Sequence, residues 1–239
     1  MDKRLKYIID NFDTMKIGLD EKFKFNCTMC GRCCIGREDI LLNPKDLFRV
    51  SKASGLQIND FIHQYCEVYV GQSSKIPIVR LLPVGPTKRC PLLKGNRCSV
   101  HQVKPTVCAM FPIGRCIRLD DDSKKNGEFG VKDIQYIFQK TGCGDNKKEH
   151  TVREWLKDFN MSDEDEFFIK WQKTISFFSL FFHENESKLE EEMLDRLENF
   201  IFFILYLSYD FEKEFFPQFT RNADTLIEMF KSKKFGGIC

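Results

Sequence analysis

The sequence predicts a mainly helical α+β fold in which a loop-rich core is joined to a helical C-terminal lobe. Three observations carry that reading. Apolar residues recur at helical spacing at the N-terminus and again beyond residue 150. Short runs such as "KFKF" and "KIPIVRLLPV" read as extended segments. Between residues 85 and 144 the chain is rich in proline, glycine and cysteine and holds no sustained period.

Taken in order, Leu5, Ile8, Ile9, Phe12 and Met15 mark one face of an opening amphipathic helix. "NPKDLFRVSKASG" offers Asn43 as an N-cap, Pro44 at the first helical position and Gly55 as a stop. "INDFIHQYCEVYVG" reads as a second short helix capped by Asn59, with Cys66 on its apolar face beside Ile62 and Tyr69. Residues 85–144 are expected to bury little apolar surface, so another source of stability is needed there, and metal coordination can supply it. Capping-box patterns mark three later helix starts: Thr151 with Glu154, Ser162 with Asp165, and Ser187 with Glu190. Sixteen of the 24 phenylalanines lie beyond residue 150, so "FFSLFF" and "FIFFILYL" read as the core of a helical lobe. The "DDDSKKNGE" stretch reads as a solvated turn without chemistry. The expected organisation is a cysteine-bearing domain, 1–155, and a Phe-rich helical lobe, 156–239.

Composition narrows the function. Thirty-seven basic residues nearly balance 35 acidic ones, leaving a formal charge of +2, so nothing asks for nucleic acid or an anionic membrane surface. The longest apolar run, 200–207, falls far short of the roughly 20 residues that span a bilayer. The charged N-terminus lacks the apolar stretch of a secretory signal. A soluble, cytoplasmic protein is expected. In a reducing compartment, 11 cysteines point to metal or redox chemistry rather than a disulfide framework, and their odd number leaves at least one unpaired in any such framework.

The cysteines themselves are unevenly placed. In "NCTMCGRCC", Cys27, Cys30 and Cys33 make a C-x2-C-x2-C run, which lets three sulfurs face one centre around a tight loop. The run matches the first three positions of the bacterial ferredoxin pattern, whose fourth ligand is a remote cysteine followed by proline; Cys90-Pro91 is one such pair here. Gly31 permits a positive φ inside the loop. Cys34 directly follows Cys33, and adjacent side chains diverge, so Cys34 belongs either to a second site or to a thiol with a redox or structural role. The later cysteines come singly: Cys90, Cys98, Cys108, Cys116 and Cys143. A zinc ribbon wants a second C-x2-C, which is missing, although Cys98 and His101 make a mixed pair that keeps zinc as the alternative. Phosphate-cradling glycine loops and a nucleophile-elbow serine are both absent.

In order along the chain, "FNCTMCGRCC", "CPLLKGNRCSVHQVKPTVCAMFPIG" and "TGCGDNKKEHTVREWL" resemble the YkgJ-type CxxCxxCC cysteine-cluster family, described as a zinc- or iron-chelating domain. The resemblance covers residues 23–155. It implies metal ligands among Cys27, Cys30, Cys33, Cys34, Cys90, Cys98, Cys108 and Cys143. The chain departs from the pattern in having Gly-Asp after Cys143 where the family has Pro-Gly, and Ala109 where arginine is common. Some relatives are flagellin lysine N-methylases, so the resemblance also implies protein modification as an alternative, though nothing here reads as a methyl-donor pocket. The expectation is therefore a loop-rich metal-binding core holding an iron–sulfur cluster, 4Fe-4S in type, for redox or protein-modification chemistry. A protein partner or protein substrate goes with it. The alternative is a structural zinc module whose helical lobe performs recognition. Eight such cysteines allow two four-thiolate sites or one site with further thiols. Outside the pattern, Cys66 reads as core, Cys116 as a weak ligand candidate and Cys239 as a tail thiol.

Overall fold

The computed structural model describes residues 3–118 and 128–232, with side chains from residue 6. All but the last residue of "DDDSKKNGE", and Cys239, lie outside the described residues. Helix makes up 49% and strand 20%, with only small sheets, which is the mainly helical α+β fold expected. No helix among the described residues is long and apolar enough to cross a membrane. By packing, the chain sorts into two compact units, each drawn from two separate stretches: Met1–Cys33 with Val107–Ile169, and Cys34–Thr106 with Lys170–Cys239.

The first unit opens with the helices Lys3–Asp10 and Phe12–Met15. The strand Lys16–Ile17 then pairs antiparallel with Ile134–Phe138, which pairs in turn with Ile113–Ile117. A second, two-stranded ribbon joins Lys22–Asn26 to Asp145–Thr151, also antiparallel. The period-2 alternation of "KFKF" turns Phe23 and Phe25 inward and leaves Lys22 and Lys24 in solvent. Both rings meet Trp155, on the helix Val152–Asp158, edge-on at centroid distances of 5.9 and 5.6 Å. Such pairs contribute about 1 kcal/mol each beyond the area they bury. The Trp155 indole N–H is satisfied by the Met110 carbonyl at 2.9 Å. The capping box of Thr151 and Glu154 forms as predicted.

Two expectations are corrected within this unit. Residues 113–138 include a core hairpin, with Ile113, Tyr136 and Ile137 buried. Its alternation is masked in the sequence by Gly114, Arg115 and Cys116. The Arg115 side chain is largely covered, paired with Asp165 at 2.8 Å and lying over the Phe168 ring at 3.9 Å. The second correction concerns Ser162, which does not cap the next helix. Its hydroxyl accepts from the Glu164 N–H within a turn, while the Asp165 carboxylate, on the residue just before the helix Glu166–Asn185, accepts from the Phe168 N–H at 3.1 Å.

In the second unit the helix Pro44–Ser54 forms as its caps predict. Asn43 accepts from the Asp46 N–H at 2.8 Å, and Gly55 ends the helix at φ +69°. The next helix, Ile58–Tyr65, is shorter than expected, and Gln57 rather than Asn59 stands at its N-cap. Cys66–Val70 leaves the helix as a strand because its Val-Tyr-Val sequence favours an extended backbone and finds Pro77–Leu81 to pair with. Leu41–Leu42 completes the three-stranded sheet. The buried Asp46 carboxylate accepts from Arg49 Nη2 at 2.8 Å and from both the N–H and hydroxyl of Thr106, stapling two stretches 60 residues apart.

The Phe-rich lobe is core, as predicted, with Phe178, Phe182, Phe219 and Phe230 almost fully buried. Leu180 and Phe203 of the same runs face solvent. The "FIFFILYL" run leaves the helix Glu191–Phe202 through a π-helical turn, Phe203–Leu207. The third capping box does not form. Ser187 lies in a 3-10 turn, Glu186–Lys188, and Glu190 caps the following helix without a side-chain hydrogen bond.

Candidate metal centre

The strand Lys22–Asn26 delivers the chain to the cysteine run, and the backbone then reverses twice through the left-handed region, at Met29 (φ +52°) and Gly31 (φ +73°). A short 3-10 turn, Arg32–Cys34, closes the loop. From the other side, the paired strand Asp145–Thr151 is preceded by Cys143 and Gly144. Asn26 donates to the Asp145 carboxylate at 3.2 Å and Arg32 to the Gly142 carbonyl at 3.0 Å, so the two loops are tied together by polar contacts as well as by the ribbon.

These ties bring Cys30 Sγ to 3.4 Å from Cys143 Sγ. That is contact between two thiols, well beyond the ~2.0 Å of a disulfide bond. Backbone N–H groups of Gly144 and Arg32 point at the Cys30 sulfur, and with further donation from Cys143 and Thr28 they lower its pKa to about 7. Cys143 is pushed the other way, to about 12, first by burial, then by the proton it shares with Cys30 and by the neighbouring Cys33. Cys30 is thus the more readily ionised sulfur of the pair. Gly144 is required by its position. Its φ is +69°, and an added Cβ would strike the Asn26 carbonyl and come within 2.8 Å of Phe25 Cε2. Where the family pattern has Pro-Gly, this chain places glycine directly after the cysteine and uses its N–H.

The other candidates are placed as follows. Cys27 packs, half-buried, against the aromatic core of the first unit. Cys108 is half-buried on the short helix Thr106–Met110. In the second unit Cys34 and Cys90 are joined main chain to main chain, the Cys34 carbonyl accepting from the Cys90 N–H at 2.8 Å. Cys98 sits opposite Leu93 in a two-stranded hairpin. Cys66 is buried, and its thiol is pushed up to about 12 by burial and then by Cys90. It is core, as expected, although on a strand. His101 begins a 3-10 turn three residues after Cys98, and burial lowers its pKa. Cys116 faces Gln135 across the hairpin, and burial raises it.

The donor set suits a soft metal: thiols rather than disulfides, partly exposed, one of them prepared for ionisation by backbone N–H groups. Among the described residues, no three His, Cys, Asp or Glu side chains already converge as a metal-holding group. The Cys30–Cys143 thiol pair is formed. The N–H donors of Arg32 and Gly144 escaped sequence reasoning, since backbone groups leave no residue-type signal beyond the Cys-Gly dipeptides themselves.

The family model CxxCxxCC, described as "Putative zinc- or iron-chelating domain", matches residues 26–144. That span starts one residue before Cys27 and ends one residue after Cys143. No curated protein and no solved structure matches the chain.

Proposed function

Because the chain belongs to the CxxCxxCC family of zinc- or iron-chelating domains and so binds metal, we propose that the metal is iron, held in an iron–sulfur cluster that transfers electrons or senses redox state. The observation that carries this reading is the Cys30–Cys143 thiol contact with two N–H donors aimed at one sulfur. Hydrogen bonds to sulfur are among the levers that set a cluster's potential. The run Cys27, Cys30, Cys33 with a remote Cys143 supplies four thiolates of the number and kind a 4Fe-4S cluster takes. Cys34, Cys90, Cys98 and Cys108 complete the family ligand set, as a second site or as further thiols. Bound, the cluster supplies one-electron chemistry. The chain's own part is to present the cysteine sulfurs, ease the ionisation of Cys30 and tie the two loops. Residues 1–155 carry the metal chemistry and residues 156–239 form the Phe-rich lobe that supports it, in a reducing, cytoplasmic setting.

Zinc is the second reading, favoured by the placing of Cys98 and His101 three residues apart, with the imidazole kept neutral by burial as a ligand must be. Elemental analysis and an absorption spectrum of protein purified without oxygen or chelator decide between them. Iron with acid-labile sulfide and a broad visible band that bleaches on reduction is the expected result. About one or two zinc ions per chain and no colour would overturn the cluster.

A further inference from the structure

The ribbon that brackets the thiol pair carries a charge the metal reading does not use. Residues 22–33 and 139–149 hold six basic side chains, Lys22, Lys24, Arg32, Lys140, Lys147 and Lys148, against two acids, Asp145 and Glu149. All six basic residues are exposed. Glu149 is taken by Lys22 at 2.9 Å. The half-buried Asp145 carboxylate is occupied by Asn26 and by the Lys147 N–H. Lys24, Lys147 and Lys148 make no ion pair among the described residues. Four of the six, Lys22, Lys24, Lys147 and Lys148, lie on the two-stranded ribbon, so a chain of net charge +2 carries an excess of positive charge there.

Backbone geometry presents that patch. Pairing runs from Asp145 opposite Asn26 directly to Glu149 opposite Lys24, four steps on one strand for two on the other. The extra residues bulge outward and carry Lys147 and Lys148 with them, and the Asp145 carboxylate fixes the bulge by accepting the Lys147 N–H at 3.0 Å. Bulges of this kind re-aim side chains beside functional sites. Lys24 lies two residues before Asn26, about 7 Å along the strand at 3.3–3.4 Å per residue, so the patch adjoins the thiol end of the ribbon. The ribbon's rings, Phe23 and Phe25, are buried, which removes the stacking platform that single-stranded nucleic acid uses.

We propose that this lysine face is the docking surface for an acidic protein, specifically a small acidic electron-transfer protein; the redox character of the partner rests on the cluster reading above. Electron-transfer encounters are small and transient, so orientation and rate are set by complementary charge rather than by buried area. A positive face beside the thiols holds such a partner where the path to the metal is short.

The test uses full-length protein as purified, with its native metal, and flavodoxin as the acidic probe. Binding is followed by titration calorimetry, and reduction of the protein by reduced flavodoxin by stopped flow, over a salt series. Wild type should bind and be reduced fastest at low salt, with both falling as salt rises. K24E/K147E/K148E should lose tenfold or more in association while keeping its metal content, and K24R/K147R/K148R should behave as wild type. Photoreduced lumiflavin, an electroneutral donor, should reduce all three proteins alike. If the charge-reversed protein binds flavodoxin unchanged, or loses metal in proportion to binding, the lysines serve the thiolates and the proposal fails. It fails also if phosphatidylserine vesicles bind wild type as tightly as flavodoxin does. If the metal is redox-silent but salt-sensitive binding is lost on charge reversal, the docking surface stands and the cluster reading falls.

Discussion

The cysteines of the two units are placed by different means. In the first unit Cys30 meets Cys143 sulfur to sulfur, with backbone N–H groups converging on one thiol. In the second unit Cys34 meets Cys90 through the main chain, and Cys98 is set by a hairpin. The first arrangement brings sulfur to sulfur at the end of a paired ribbon and lowers the pKa of one thiol. The second sets main chain against main chain and so fixes the loops that carry the cysteines. Backbone pairing thus serves two ends: in one unit it delivers one sulfur to another, and in the other it joins the main chain at two cysteines.

The sharpest test is to remove one sulfur of the thiol pair and, as a control within the same unit, one sulfur outside the ligand set. Cys30→Ser should lose most of the metal and reduce amide-exchange protection through residues 85–144, whereas Cys116→Ser should keep both. Metal analysis and hydrogen exchange read the outcome, and full metal in Cys30→Ser would end the assignment of that residue. Next in size is the aromatic packing of each unit. Trp155→Ala and Phe178→Ala each remove a buried ring and should cost about 3–5 kcal/mol in denaturant unfolding. Only Trp155→Ala, which empties the floor under Phe23 and Phe25, should also weaken metal retention against a chelator.

A smaller effect is expected at Gly144. Gly144→Ala forces a side chain into a left-handed position against the Asn26 carbonyl, which should destabilise the protein by about 1–3 kcal/mol. The variant should also take up metal more slowly, since its N–H is moved from the Cys30 sulfur; uptake at the wild-type rate would show that donor to be dispensable. The smallest effect is a pH signature in metal-free protein. Cys30 is lowered from 9.0 to about 7, so its contribution to stability is full above pH 9 and is lost as pH falls through 7. Cys143 is raised from 9.0 to about 12, so its contribution is full below pH 9 and is lost as pH rises through 12. Alkylation by iodoacetamide, mapped by mass spectrometry, should label Cys30 with a midpoint near pH 7 and leave Cys143 slow up to pH 9. Equal rates at the two cysteines would remove the asymmetry.

What was legible in the sequence was local. Asn43, Pro44 and Gly55 bound a helix because caps act within one turn, and Thr151 with Glu154 works for the same reason. Alternation over four residues sufficed for "KFKF". Misreadings arose where a distant partner decided the outcome. Cys66–Val70 follows a helix without a break in periodicity and becomes a strand because Pro77–Leu81 is there to receive it. Ser162 lost its cap to Asp165, which Arg115 holds from another strand. At the site, spacing and family pattern nominated the cysteines. The pairing of Cys30 with Cys143 and the N–H groups around them depend on ribbon register, which no local pattern encodes.

The distance between those two thiols along the chain has a consequence during synthesis. Cys30 leaves the ribosome 113 residues ahead of Cys143, and at roughly 5–20 residues per second that is a wait of about 6–23 s. For that interval the thiol has neither its sulfur neighbour nor the Gly144 N–H. The first unit is completed only when the stretch up to Ile169 has emerged. The nascent chain therefore passes through a window in which the C-x2-C-x2-C loop is open to oxidants and to whichever metal arrives first.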